Sequence, residues 1–156
     1  MPHSEVARMR KSDITEVQES GVYTIVWQLI EIMVSRYGSF PTGHLLTVLT
    51  LVLLDRADYH PTVGELADIT GLTKSTVSRY VSIDMKTGFI EEVVDPDDRR
   101  QRRLHPTQQS RDEQAWQLKK IFAVLESSNQ VYRNLGKTAD PVADLKAILS
   151  RSGKHA

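Results

Sequence analysis

Two clusters of side chains in this sequence have types and spacing that could do chemistry. The first is the run Thr73, Lys74, Ser75, Thr76, Ser78 and Arg79, and the second is Arg99, Arg100, Arg102 and Arg103, four guanidinium groups within five residues. Short hydroxyls with one Lys and one Arg suit contacts to phosphates and base edges. Clustered guanidiniums suit a region of high negative potential such as a narrow groove of a duplex. Each cluster also has a plainer explanation, since a charge run is usually a solvated loop and a polar helix face usually meets water. Catalysis has no comparable support. The five histidines, His3, His44, His60, His105 and His155, are dispersed, and none pairs with an activated nucleophile. No His and carboxylate set has metal-ligand spacing, and the absence of cysteine excludes disulfides, thiolate zinc sites and thiol redox sensing. No catalytic residue, metal or cofactor is expected.

The elements that must position these clusters follow from periodicity. Residues 12–37 place Ile14, Val17, Val22, Ile25, Val26, Leu29, Ile32 and Met33 at three- and four-residue spacing, the mark of a long amphipathic helix, with Asp13 and Glu16 as its capping box. After the turn residues 38–43, the apolar run 45–54 predicts a helix buried on most of its circumference and ending near Ala57. Thr62 and Glu65 form the next capping box, opening a helix that Gly71 ends near Thr70. A further helix runs from about Thr73 to Thr87, with Val77, Tyr80, Val81 and Met85 on one side and Gly88 as its left-handed stop. Residues 89–94 and 102–105 read as two strands of a hairpin with a long polar tip. A helix over 107–134 follows, with Trp116, Leu118, Ile121, Phe122, Leu125 and Val131 as core candidates. Asp140 and Pro141 then open a last helix reaching about Arg151.

Within this order, residues 63–82 form the strongest constellation. Ala67 sits where two crossing helices approach, Gly71 lies four residues later at the turn, and Val77 lies six beyond it, with Leu66, Leu72 and Val81 completing a small core. The pattern fits a helix-turn-helix whose second helix enters a major groove, although any helical hairpin can show these residues in this order. The hairpin that follows would lie as a wing beside the groove, with Asp98 able to orient a neighbouring guanidinium. Residues 61–107 hold seven Lys and Arg against eight Asp and Glu, so Glu65, Asp68, Glu91 and Glu92 must face away from any duplex.

These segments resemble the multiple antibiotic resistance regulator (MarR) family of bacterial transcription factors. The likeness rests on residues 62–67, on residues 72–81, and above all on Asp95, Pro96, Asp97, Asp98, Arg99 and Arg100 with Thr107 closing the wing. It implies a single domain over 1–156 that is mainly α with a small antiparallel β wing, a winged helix-turn-helix over 42–106, and a dimerisation region built from 12–37 and 107–151. It further implies a homodimer acting as a repressor on an inverted-repeat operator in double-stranded DNA. Thr73, Lys74, Ser75, Thr76, Ser78, Arg79, Asp98, Arg99, Arg100 and Arg102 would then form the DNA face, with Arg100 in the minor groove. A small aromatic effector is also implied, for which Tyr23, Trp27, Arg36 and His44 are the first candidates, although aromatics at helical spacing are more often core. One departure is His105-Pro106 before Thr107, where Leu would be usual. Pro106 lacks a backbone donor, so the second strand is expected to be short or to pair poorly.

The bulk composition agrees with a globular protein: 156 residues, 40% hydrophobic and 26% charged, with a formal net charge of zero. The run 45–54 covers ten residues, well short of the roughly 20 that cross a bilayer, and residues 1–13 lack an apolar signal region. No membrane association and a cytoplasmic location are expected. The competing reading is a winged-helix module that contacts protein instead of DNA. Another is that the flanking helices pack as one monomeric bundle.

Overall fold

The computed structural model describes residues 21–131, 140–143 and 145–147. The chain divides into two compact units. One is Tyr37–Gln117, and the other consists of the described parts of Met1–Arg36 and Leu118–Ala156. Helix α1 spans Gly21–Tyr37. It is followed by α2 (Thr42–Arg56), α3 (Val63–Thr70), α4 (Lys74–Lys86), β1 (Ile90–Val94), β2 (Arg102–Pro106) and α5 (Gln108–Val131). The architecture is mainly α with one two-stranded antiparallel sheet. The expected capping box at Asp13, the end of α5 near Asn134 and the chain beyond residue 147 lie outside the described residues.

In the Tyr37–Gln117 unit, each element starts or stops for a local reason. The Thr62 hydroxyl accepts from the Glu65 N–H while the Glu65 carboxylate accepts from the Thr62 N–H, so two orphan donors of α3 are satisfied reciprocally. Gly71 then adopts φ of 72°, a left-handed conformation that costs a glycine little, and its N–H bonds to the Ala67 carbonyl. Thr73 caps α4 by accepting from the Thr76 N–H. Leu51, Leu66, Ala67, Val77, Val81, Ile90 and Leu104 close one core, to which α2, α3, α4 and both strands contribute.

The wing pairs along its full length, from Ile90 opposite Pro106 to Val94 opposite Arg102. The expectation that Pro106 would shorten or weaken β2 is therefore corrected, and parity explains why. The Leu104 N–H points away from β1 and bonds to the Pro61 carbonyl at 2.8 Å, whereas the Thr107 N–H bonds to the Phe89 carbonyl at 3.1 Å. Donors on β2 alternate sides, so the nitrogen of Pro106 faces the same way as that of Leu104, where β1 requires no donor. The hairpin ladder loses nothing.

Helix α2 also differs from expectation. Its buried residues are Thr47, Thr50 and Leu51, and the two threonine hydroxyls bond back to the carbonyls of Gly43 and Leu46. Leu46, Leu49 and Leu53 form an exposed stripe, as do Val22, Val26, Ile30 and Val34 on α1 and Leu118, Phe122 and Leu125 on α5. Apolar periodicity marks a face that can be buried without saying whether this chain or a second one buries it. Among the described residues, no single helix is long and apolar enough to cross a membrane.

Candidate nucleic-acid interface

Helix α4 sorts its side chains cleanly. Val77, Tyr80, Val81 and Asp84 point inward, while Lys74, Ser75, Ser78, Arg79 and Ser82 are exposed. Met85, expected on the inner side, is exposed; Asp84, seven residues after Val77, takes that position. Asp84 meets the His44 ring of α2, whose Nε2 lies 2.9 Å from both carboxylate oxygens. Burial pushes the Asp84 carboxyl up, and the contact with His44 partly offsets this. The His44 ring also stacks on Tyr80, with centroids 4.7 Å apart. Next to it, the Arg79 guanidinium carbon lies 5.7 Å from the Tyr80 ring centre, a cation–π contact that leaves the donors of Arg79 free. Thr73 and Thr76 spend their hydroxyls on the cap, Thr73 Oγ1 donating to Thr76 Oγ1 at 2.8 Å. Ser82 Oγ bonds back to the Ser78 carbonyl. Lys74, Ser75, Ser78 and Arg79 are thus the outward groups best placed to meet a ligand.

The wing tip is a nest of short acidic turns. Asp95 Oδ1 accepts from the N–H groups of Asp97 and Asp98, and the Gln101 carbonyl accepts from the Asp95 N–H. Asp98 Oδ1 accepts from the Arg100 N–H at 3.0 Å, so this carboxylate shapes the Arg100 backbone rather than orienting its guanidinium. Arg99, Arg100 and Arg102 are exposed. Arg103 departs from that set, because its side chain folds against the protein and bonds to Asp95 and Glu65.

Four of the module's eight acidic residues, Glu65, Asp84, Asp95 and Asp98, are bonded internally. Glu65 serves the α3 cap, Arg103 and the Tyr59 hydroxyl. Burial raises its pKa, but the bonds from Thr62, Tyr59 and Arg103 outweigh this and hold it below its ordinary value. Asp95 is held low chiefly by Arg103. Asp68, Glu91, Glu92 and Asp97 remain exposed. At the wing root, His60 and His105 stack with centroids 3.7 Å apart, and Asp55 accepts from His60 at 3.1 Å and from Arg111 at 3.2 Å. Burial, then the neighbouring His60, pushes the His105 ring below its ordinary value.

The four residues considered for an aromatic effector are distributed over both units. Tyr23 and Arg36 are exposed and Trp27 is half-buried, all three on α1, whereas His44 is occupied by Asp84 and Tyr80. Among the described residues, no group of three or more His, Asp or Glu side chains is arranged to hold a metal ion.

An α3–turn–α4 pair with a shared core, followed by a hairpin carrying exposed arginines, defines a winged helix-turn-helix protein. The model of the MarR family matches residues 44–101 of the chain. Solved structures agree on the fold. YusO from Bacillus subtilis aligns over 96% of this chain and 99% of its own, with a TM-score of 0.61 and 18% identity. The transcriptional regulator Tm0710 from Thermotoga maritima aligns over 92% and 98%, with a TM-score of 0.57 and 18% identity. A MarR-like transcriptional regulator from the same organism, Tm0816, aligns over 92% and 94%, with a TM-score of 0.55 and 20% identity. No curated protein matches the sequence.

Proposed function

We propose that this protein is a transcriptional regulator that binds double-stranded DNA with α4 in the major groove and the wing tip along the adjoining minor groove. The observation that carries this reading is a separation of charge. Arg79, Arg99, Arg100 and Arg102 reach solvent from α4 and the wing, while Glu65, Asp84 and Asp95 are bonded internally. A module with no basic surplus can therefore still present cations to phosphate. The exposed apolar stripes of α1, α2 and α5 favour a homodimer, which would read an inverted repeat with half-sites about one helical turn, roughly 34 to 36 Å, apart. Selection of genomic fragments by the purified protein tests this, followed by footprinting and a mass measurement in solution. A two-fold footprint and a dimeric mass are expected. A module that contacts protein instead of DNA would show no salt-dependent preference among duplexes. Repeating the selection with small aromatic acids asks whether Tyr23, Trp27 and Arg36 serve an effector.

A further inference from the structure

The side chain of Arg103 is the most heavily bonded in the wing. Its Nε donates to Asp95 Oδ2 at 2.8 Å and its Nη2 to Gln101 Oε1 at 2.9 Å, so it grips both ends of the tip. Its Nη1 donates to Glu65 Oε2 at 3.2 Å and to the His60 carbonyl at 3.3 Å, reaching the first turn of α3 and the segment before it. The guanidinium carbon also lies 5.9 Å from the Tyr59 ring centre. Ion pairing with Asp95 and Glu65 drives its pKa further up, and the side chain is 23% exposed.

A two-stranded hairpin is marginal by itself, and this one is anchored by buried apolar side chains below its tip, Ile90, Leu104 and Pro106. Residues 95–101 project beyond that apolar anchor. We propose that Arg103 is a positioning residue that straps the wing tip to the N-terminal cap of α3 and so sets where Arg99 and Arg100 lie relative to α4, without touching DNA itself. The inference rests on the DNA-binding reading above. It has an unusual consequence: Glu65 and Asp95, two negative charges in a DNA-binding module, promote binding. It also separates arginine from lysine, because one ammonium cannot reach Asp95, Gln101 and Glu65 together as the planar fork does.

The test compares Arg103→Ala, Arg103→Lys, Glu65→Gln and Arg100→Ala with the double variant R103A/R100A, using labelled duplex titrations at several salt concentrations and thermal melting. Hydrogen exchange of residues 95–101 gives a readout that needs no DNA. The expected result is a roughly 3- to 30-fold loss of affinity in R103A, with R103K close to it and most of the R100A effect absent in the R103A background. E65Q should bind more weakly than the wild type, and tip amides should exchange faster in R103A and E65Q. An additive double variant, or an R103K protein that binds like the wild type, would show Arg103 acting as a simple charge on DNA and overturn the proposal. Tighter binding by E65Q or unchanged tip exchange would overturn it equally. Should R103A fail to fold, E65Q keeps the Asp95 and Gln101 bonds and decides alone. Failure of the DNA-binding reading looks different: the wild type would lack salt-dependent affinity for any duplex, whatever the tip exchange shows.

Discussion

Helix α4 and the wing are held in opposite ways. Helix α4 is fixed by apolar burial, Val77 and Val81 lying in the shared core, with the His44–Asp84 pair and Tyr80 tying it to α2. The wing buries Ile90 on β1 and Leu104 and Pro106 on β2, and its outer half depends on Arg103, Asp95 and Glu65. Burial of that kind produces a rigid element with a fixed face, whereas a half-exposed polar network produces one whose position can be changed by a single charge. On this account α4 supplies base preference and the wing supplies adjustable, salt-sensitive affinity.

Leu66→Ala removes a fully buried side chain shared by α3, α4 and the wing and should cost about 2 to 5 kcal/mol of stability, measured by denaturant unfolding. Arg79→Ala sharpens the α4 side: it should cost about 1 to 3 kcal/mol on the preferred site and relax sequence preference, as read by titration of a panel of duplexes. Arg100→Ala sharpens the wing side, lowering the slope of log affinity against log salt by about one for each phosphate that is no longer neutralised, or about two per dimer. Asp98→Ala should follow it with a smaller effect, because its carboxylate shapes the tip through the Arg100 N–H; tighter binding would mean that charge repulsion outweighs that role.

The smallest effect concerns pH. His105 titrates below its ordinary value of 6.5, so the folded wing root favours the neutral ring. The unfolded chain then binds the extra proton first, and the stability this gives is fully present above about pH 6.5 and lost as pH falls through the folded value. Melting temperature should decline on acidification from pH 7 to 5, and His105→Gln should flatten that decline. Glu65 and Asp95, both held low, lose their contributions only at more acidic pH, while Asp84, pushed up by burial, works in the opposite direction.

Much of the helix-turn-helix could be read from the chain because its determinants are local. The Thr62–Glu65 box, Gly71 and the spacing of Ala67 and Val77 lie within a few residues of what they control. The outward polar side of α4 follows from the same periodicity. What was not legible depends on partners distant in sequence. Asp84 looks like a solvated acid until His44, forty residues earlier, comes to it. Arg103 looks like one more wing arginine until Glu65, thirty-eight residues earlier, takes its guanidinium. Pro106 looks like a strand breaker because a sequence does not show which side of the ladder its nitrogen faces.

The most direct measurement of the central claim is the affinity of the purified protein for a selected duplex and for a scrambled one of equal length, across salt concentrations, with Arg79→Ala and Arg100→Ala alongside. Tighter, salt-dependent binding to the selected duplex is expected, with discrimination lost mainly in Arg79→Ala and the salt slope reduced mainly in Arg100→Ala. Equal, weak binding of both duplexes by all three proteins would contradict the claim.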